Sequence, residues 1–312
     1  MTLKTKCRVL TAIIILFVLA AGIIFAKFNA ASSYIIQGRN FVRYQYYKLK
    51  RYTHKIDISN LQPLSETGDE WFAKYHVIAH NGGIIQGRTK SDSLEAWELS
   101  YSRGVRIIDA DLNFTSDNHL VLRHDWNDDL EQDFSRIPPS FEEFMSTKIF
   151  MKYTPMSIED MIDFMKAHED LYVAVDCKEE PAKVYSSLVN AASSMNASEI
   201  LERIIVSLYK TEDVAKVKSV YPFRNFALRQ YGWQHNWYDL AEFCVKNSIH
   251  VVNVWDFVAD TDPEGIKILL DKNIHVWAAP INSLRQMQRY KDLGITGAVS
   301  DYLSESDWEL LK

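Results

Sequence analysis

From residue 75 onward, short apolar runs alternate with segments of helical period, and this alternation constrains the fold more than any other feature of the chain. The runs are 76–80 (HVIAH), 105–111 (VRIIDAD), 119–123 (HLVLR), 171–176 (LYVAVD), 204–209 (IIVSLY), 226–231 (FALRQY), 250–255 (HVVNVW), 274–279 (IHVWAA) and 297–300 (GAVS). Many are apolar on both faces. A strand in a parallel sheet covered by helices needs that pattern, whereas a half-solvated antiparallel strand alternates apolar with polar.

The helical segments carry start and stop signals. Asp92-x-x-Glu95 reads as a capping box ahead of Leu94, Trp97 and Tyr101, and Gly104 reads as the stop. Ser157-x-x-Asp160 is a shorter version of the same box. Pro181 and Pro263 suit first helical turns, Asn236 or Trp237 opens another helix, and Ser283 another. A strand-helix rhythm sustained over this length predicts an α/β fold, a TIM (β/α)8 barrel, with a doubly wound open sheet as the competing arrangement. Nine runs for eight strands leave one over. The run 119–123 is expected to form a hairpin, because only NFTSDN separates it from 105–111. Residues 126–155 break the rhythm and read as an insert over one end of the barrel.

The first residues are of a different kind. Residues 9–26 contain no charge, and eighteen residues at 1.5 Å each just cross a hydrocarbon core. Lys4, Lys6 and Arg8 precede them and Lys27 follows. This predicts a short cytoplasmic tail (1–8), a transmembrane signal-anchor helix (9–26), and a main domain outside the cytoplasm at the cell membrane. A cleaved signal peptide is the rival, though no good A-x-A site follows. The aromatic, basic region 27–74 reads either as an interfacial helix on anionic lipid or as a linker packed on the domain at 75–312. A formal net charge of -6 gives no support for nucleic-acid binding. Cys177 and Cys244 leave a disulfide possible, but the spacing suggests neither a cysteine scaffold nor a zinc site.

Chemistry collects at the strand ends. Asp109 and Asp111 are i and i+2 on one strand, so both side chains point the same way. Asp176 closes another strand, His80 and His124 close two more, and Lys178 follows Asp176 by two. A strand-end Asp is commonly a turn former, and a lone histidine is commonly structural. Three acids inside an apolar rim repel one another unless a cation or proton offsets them. Carboxylates without sulfur partners suit Mg2+ or Ca2+. Two imidazoles beside such an ion suit the base and acid of phosphodiester cleavage. Trp126, Trp255 and Trp277 lie near strand ends and are candidates to wall the pocket, with Tyr209, Gln230 and Tyr231 as weaker rim candidates.

In their order along the chain, these residues resemble the glycerophosphodiester phosphodiesterase family, whose barrel is related to that of phosphatidylinositol-specific phospholipase C. AHNGG places His80 on the first catalytic histidine of a His-Arg-Gly motif, and KSDSLEAW matches the second half of Pro-Glu-Asn-Thr-Leu-Glu-Ala-Phe. In IIDADLNFTSDNHLVLRHD, Asp109 and Asp111 fall on the Glu-x-Asp metal pair and His124 on the second catalytic histidine. VDCK aligns Asp176 with the third metal carboxylate and Lys178 with the lysine of Glu-Ile-Lys. TPMSIEDMIDF is similar to the PTLEE segment, VWAAPIN to Trp-Thr-Val-Asn with Trp277 on its tryptophan, and GAVSDYL to the closing Gly-x-x-x-Thr-Asp. The resemblance implies a divalent metal, Mg2+ or Ca2+, on Asp109, Asp111 and Asp176. It implies His80 and His124 as the catalytic pair, and Lys178, Asn81 and Trp277 toward the substrate. It also implies attack by a neighbouring substrate hydroxyl, then hydrolysis of a cyclic phosphate. Expected substrates are glycerophosphodiesters, lipid headgroups or glycerol-phosphate polymers of the envelope.

Departures accompany the match. The motif arginine is Asn81, which can donate a hydrogen bond but carries no charge. Ser91 stands where the pattern has glutamate, Asp92 where it has asparagine, and two metal-position glutamates are Asp109 and Asp176. They leave open a catalytically degenerate barrel that binds a phosphorylated ligand or a protein at the membrane. Phospholipase-like cleavage of intact lipid is the other alternative.

Overall fold

The computed structural model describes residues 56–126, 130, 137–177, 179–230 and 236–311, together with 42 and 46. All nine apolar runs are strands: β1 (Val77–Ala79), β2 (Ile107–Phe114), β3 (Leu120–Leu122), β4 (Tyr172–Cys177), β5 (Ile204–Leu208), β6 (Asn225–Arg229), β7 (Val251–Trp255), β8 (His275–Ala279) and β9 (Gly297–Ser300). Eight pair in parallel around a ring, β1-β9-β8-β7-β6-β5-β4-β2, and β1 closes it against β2. The closed ring excludes the open sheet. β3 pairs antiparallel with β2, Leu112 opposite Leu122, as the short NFTSDN connection requires. The segment 9–26 lies outside the described residues. Among the described residues, no helix is long and apolar enough to cross a membrane.

Strand parity builds two cores. Outward residues such as Ile108, Ala110, Val173, Val175, Val206, Leu228, Val252 and Val276 pack beneath the surrounding helices. Inward residues Ile78, Ile107, Ala174, Ile205, Ala227, Val251 and Trp277 fill the lower barrel. Trp71 and Phe72, on the short helix Trp71–Lys74, plug its N-terminal end: Trp71 meets Trp277 edge to face at 5.7 Å, and Phe72 stacks on His250 at 4.8 Å. The stretch just before β1 therefore serves as the floor of the barrel. Burying the eight large apolar side chains of that interior contributes on the order of 2 kcal/mol each.

Most helix signals hold. Ser157 forms a capping box with Asp160, Pro181 and Pro263 open their helices, and Asn236 and Ser283 are N-caps. The expected Asp92–Glu95 box does not form. Ser93 is the N-cap of the helix Leu94–Ser102 and accepts from Ala96 N. Asp92 has φ 46°, outside the helix, and Glu95 instead accepts from the backbone N and Oγ1 of Thr154, at 2.9 Å each. Glu95 thereby ties the start of this helix to the segment before β4. Cys177 and Cys244 are both buried free thiols, so the possible disulfide is absent, and burial pushes the Cys244 thiol upward.

Candidate active site

The turn after β1 explains the HNGG stretch. Asn81, Gly82 and Gly83 have successive φ values of 48°, 80° and 85°, so the chain reverses immediately beyond His80. Asparagine is among the few non-glycine residues that enter this region readily. The reversal lays Gly82 and Gly83 against Trp97 and Ser100 of the following helix, where a Cβ at 83 collides with the Ser100 hydroxyl. Ser100 Oγ donates to Gly82 O at 2.6 Å and locks the approach. His80 is thus held at the strand's end while the backbone turns away beneath it.

His80 Nδ1 lies 2.8 Å from Asp301 Oδ1, just past β9. Asn282 Nδ2 donates to the other carboxylate oxygen at 2.7 Å, and Asp301 N donates to Asn282 Oδ1 at 2.9 Å. Burial works against ionising Asp301, but the hydrogen bond and charge of His80, the Asn282 amide and the charge of Lys90 outweigh it and lower its pKa. Opposite, His124 Nδ1 lies 2.9 Å from Asp125 Oδ2. Arg123 supports this run: its backbone N donates to Asp111 O, and its Nε donates to Asp125 O at 2.6 Å. Each imidazole is therefore anchored through Nδ1 by a carboxylate.

Both imidazoles line one cavity of about 460 Å3, with Lys90, Asp111, Asp176, Tyr209, Arg229 and Asp301 as its polar wall. Trp255, Ala279, Pro280 and Val299 form the apolar side. Parity explains the acids: Asp109 and Asp111 share the inward face of β2 with Ile107, and Asp176 stands in register with Asp111. Asp176 Oδ2 accepts from Tyr209 OH at 2.7 Å.

Arg229 is a residue that the sequence reading missed. It is inward on β6, two residues beyond Ala227, and only 4% exposed. Its Nη1 donates to Asp176 Oδ2 at 3.1 Å and its Nη2 donates to Asp109 Oδ1. Removing one member of such a buried pair costs about 3–5 kcal/mol, because the other charge is left without compensation. An arginine at the inward parity of an otherwise apolar strand was the available signal. Asp301 and Lys90 were missed too. Asp301 sat in the quoted GAVSDYL, and Lys90 in KSDSLEAW.

Several expected positions fall elsewhere. Trp277 is fully buried in the lower barrel against Trp71, seated over Gly297, and does not line the cavity. Asn81 is fully buried, and neither side-chain amide atom has a hydrogen-bond partner. It shapes the turn through its carbonyl, which accepts from Asp92 N at 3.1 Å. Trp126 packs edge to face on Phe144. Gln230 is buried and anchors by its backbone to Asn253. Lys178 and Tyr231 lie outside the described residues.

The sequence profile of the glycerophosphoryl diester phosphodiesterase family matches residues 80–305. The chain belongs to this family. It is a phosphoric diester hydrolase of the glycerophosphodiester type. Its fold is similar to that of a glycerophosphodiester phosphodiesterase from Parabacteroides distasonis: 16% identity, TM-score 0.62, covering 76% of this chain and 96% of that one. A phosphodiesterase from Oleispira antarctica, solved with the product sn-glycerol-3-phosphate, matches at 14% identity and TM-score 0.58, with the same two coverages. A Thermotoga maritima glycerophosphodiester phosphodiesterase matches at 14% identity and TM-score 0.55, covering 73% of this chain and 94% of that one. No curated protein matches the sequence.

Divalent-metal dependence is general in the family. As placed here, the acids of this chain are not arranged around such an ion. Asp109 and Asp176, two of the three expected ligands, spend oxygens on the Arg229 guanidinium. Among the described residues, no group of three or more His, Cys, Asp or Glu side chains is placed to hold a metal.

Proposed function

We propose that His80 and His124 act as the proton-transfer pair in cleavage of a glycerophosphodiester, releasing a phosphomonoester and an alcohol. The observation that carries this reading is the pairing itself: two imidazoles, each fixed through Nδ1 by a carboxylate, face one cavity. Two proton transfers, one from the attacking hydroxyl and one to the leaving oxygen, need two such groups.

The roles differ by environment. The Asp301 side chain is 13% exposed and that of Asp125 38%. The less solvated carboxylate polarises its imidazole more strongly, which makes His80 the base and His124 the acid. His80 Nε2 takes the proton of a hydroxyl neighbouring the phosphate, and His124 returns one to the departing alcohol. In the second half the roles reverse, and water opens the cyclic phosphate. Lys90, exposed at the cavity wall, offers its ammonium to a phosphate oxygen. Trp255, Ala279 and Pro280 supply apolar contact for the glycerol carbons.

The substrate class follows from the family together with location. A glycerol phosphate is the product bound in the Oleispira antarctica relative. A barrel tethered by residues 9–26 outside the cytoplasm would meet deacylated lipid headgroups or glycerol-phosphate polymers. Protease shaving of intact cells tests the tether, since an outward barrel is digested and an inward one is spared.

The enzymatic reading is tested with purified full-length protein on a panel of glycerophosphodiesters, intact lipids and glycerol-phosphate polymers, followed by 31P NMR. Phosphomonoester release from the wild type, lost in His80→Asn and His124→Asn, supports it. Wild-type protein that binds the diesters without cleaving any of them is the outcome that refutes it.

A further inference from the structure

The arrangement of Asp109, Asp176 and Arg229 points to a departure from the chemistry expected of this barrel. We propose that the Arg229 guanidinium is the fixed cation of the phosphodiester site and faces the phosphate in place of a divalent ion. This inference rests on the hydrolase reading given above, and deepens it.

A divalent ion held by carboxylates needs several oxygens converging on one centre at about 2.0–2.6 Å. Here the space between Asp109 Oδ1 and Asp176 Oδ2 is taken by the two Nη groups of Arg229, which donate one hydrogen bond to each. Those oxygens cannot also ligate an ion while the arginine stays. The arginine has good reason to stay, because it is 4% exposed on the inward face of β6, with Asp109 and Asp176 as charge partners. Tyr209 OH fixes Asp176 further, through the same Oδ2. Arg229 nonetheless lines the cavity shared by His80 and His124, so its charge reaches whatever binds there.

The position where the family motif carries an arginine holds Asn81, which is neutral and fully buried. The guanidinium of this site is therefore supplied from β6 instead of from the turn after β1. A planar guanidinium suits phosphate oxygens because it donates hydrogen bonds in a fork while carrying a permanent charge. It carries one charge where a metal carries two, so it does less to acidify the attacking hydroxyl. The His80–Asp301 pair then bears more of the activation.

The test uses the full-length protein stripped of metal. Calorimetric or EPR titration with Mn2+ is expected to show no stoichiometric binding below about 1 mM. Turnover of a glycerophosphodiester is expected to stay within about twofold in excess EDTA, while Arg229→Ala loses about 100-fold or more. Arg229→Lys, which keeps a cation, is expected to recover part of that loss and controls for folding. Stoichiometric Mn2+ binding that disappears in an Asp109→Asn/Asp111→Asn double variant overturns the proposal. So does EDTA-abolished turnover restored by Mg2+ or Ca2+, and so does an Arg229→Ala enzyme as fast as the wild type. Failure of the hydrolase reading is separable, because the Mn2+ titration reports on the site even when no diester is turned over.

Discussion

Replacing Asp301 with asparagine changes one oxygen to an amide and leaves the shape of the site intact. Its effect can be worked out from the neighbours. Asn282 Nδ2 donates to Asp301 Oδ2 at 2.7 Å, so an amide at 301 must keep its oxygen on that side. Its NH2 then faces His80 Nδ1, which sits 2.8 Å from the oxygen it replaces. A donor there forces Nδ1 to accept, and the ring proton moves to Nε2. The lone pair needed to take a proton from the attacking hydroxyl is then on the wrong nitrogen. Loss of the charge-assisted hydrogen bond alone is worth about 1.5–3 kcal/mol, or roughly 10–150-fold. The tautomer error adds to this, and a total loss of about 1,000-fold in kcat is expected, by analogy with other carboxylate-oriented histidines. Steady-state kinetics on a glycerophosphodiester measure it, and KM should change little, because Asp301 acts through His80. A variant retaining more than about a third of wild-type kcat, with the fold intact by circular dichroism, would refute the assignment of His80 as the base.

Other perturbations probe separate parts of the structure. Gly83→Ala places a Cβ against Ser100 Oγ at φ 85°, and should lower stability by about 1–3 kcal/mol, read as an earlier urea midpoint, with activity falling as His80 shifts. Lys90→Met should raise KM for anionic diesters several-fold with a smaller change in kcat, checked by saturation kinetics. Burial holds His250, stacked on Phe72, below the ordinary imidazole range. Its folded form therefore binds a proton less readily than the unfolded chain does. The associated stability is present above about pH 6.5 and is lost as pH falls further, so the acid-side decline in Tm should flatten in His250→Phe. For Asp301, whose folded pKa is lowered, the contribution is present above about pH 4 and disappears in stronger acid, so Asp301→Asn should lose that part of the acid dependence.

The barrel was legible because parity and period are local. Residues of β2 alternate between core and interior every two positions, and that alternation alone placed Asp109 and Asp111 together. The hairpin followed from a connection too short for a helix. The first capping box was misread because both Asp92 and Ser93 suit an N-cap. Spacing favoured Asp92, whereas Glu95 found a better partner in Thr154, more than fifty residues away. Trp277 was expected near a strand end, at the wall of the pocket, but a strand does not reveal height within a barrel. Gly297 makes room for its ring in the lower layer. Arg229 was hidden for a related reason. FALRQY reads as a strand that ends in polar rim residues, and only the register against Ala227 shows that the arginine points inward among the acids.

The most direct measurement is a double-mutant cycle on His80 and His124, with 31P NMR following release of phosphomonoester from a glycerophosphodiester by the full-length protein. If both imidazoles serve one phosphorus, His80→Asn and His124→Asn should each lower kcat about 1,000-fold, and the double variant should be little slower than either, because groups that act as a unit are not additive. Losses that multiply independently, or a single variant as fast as the wild type, would contradict a shared proton-transfer pair.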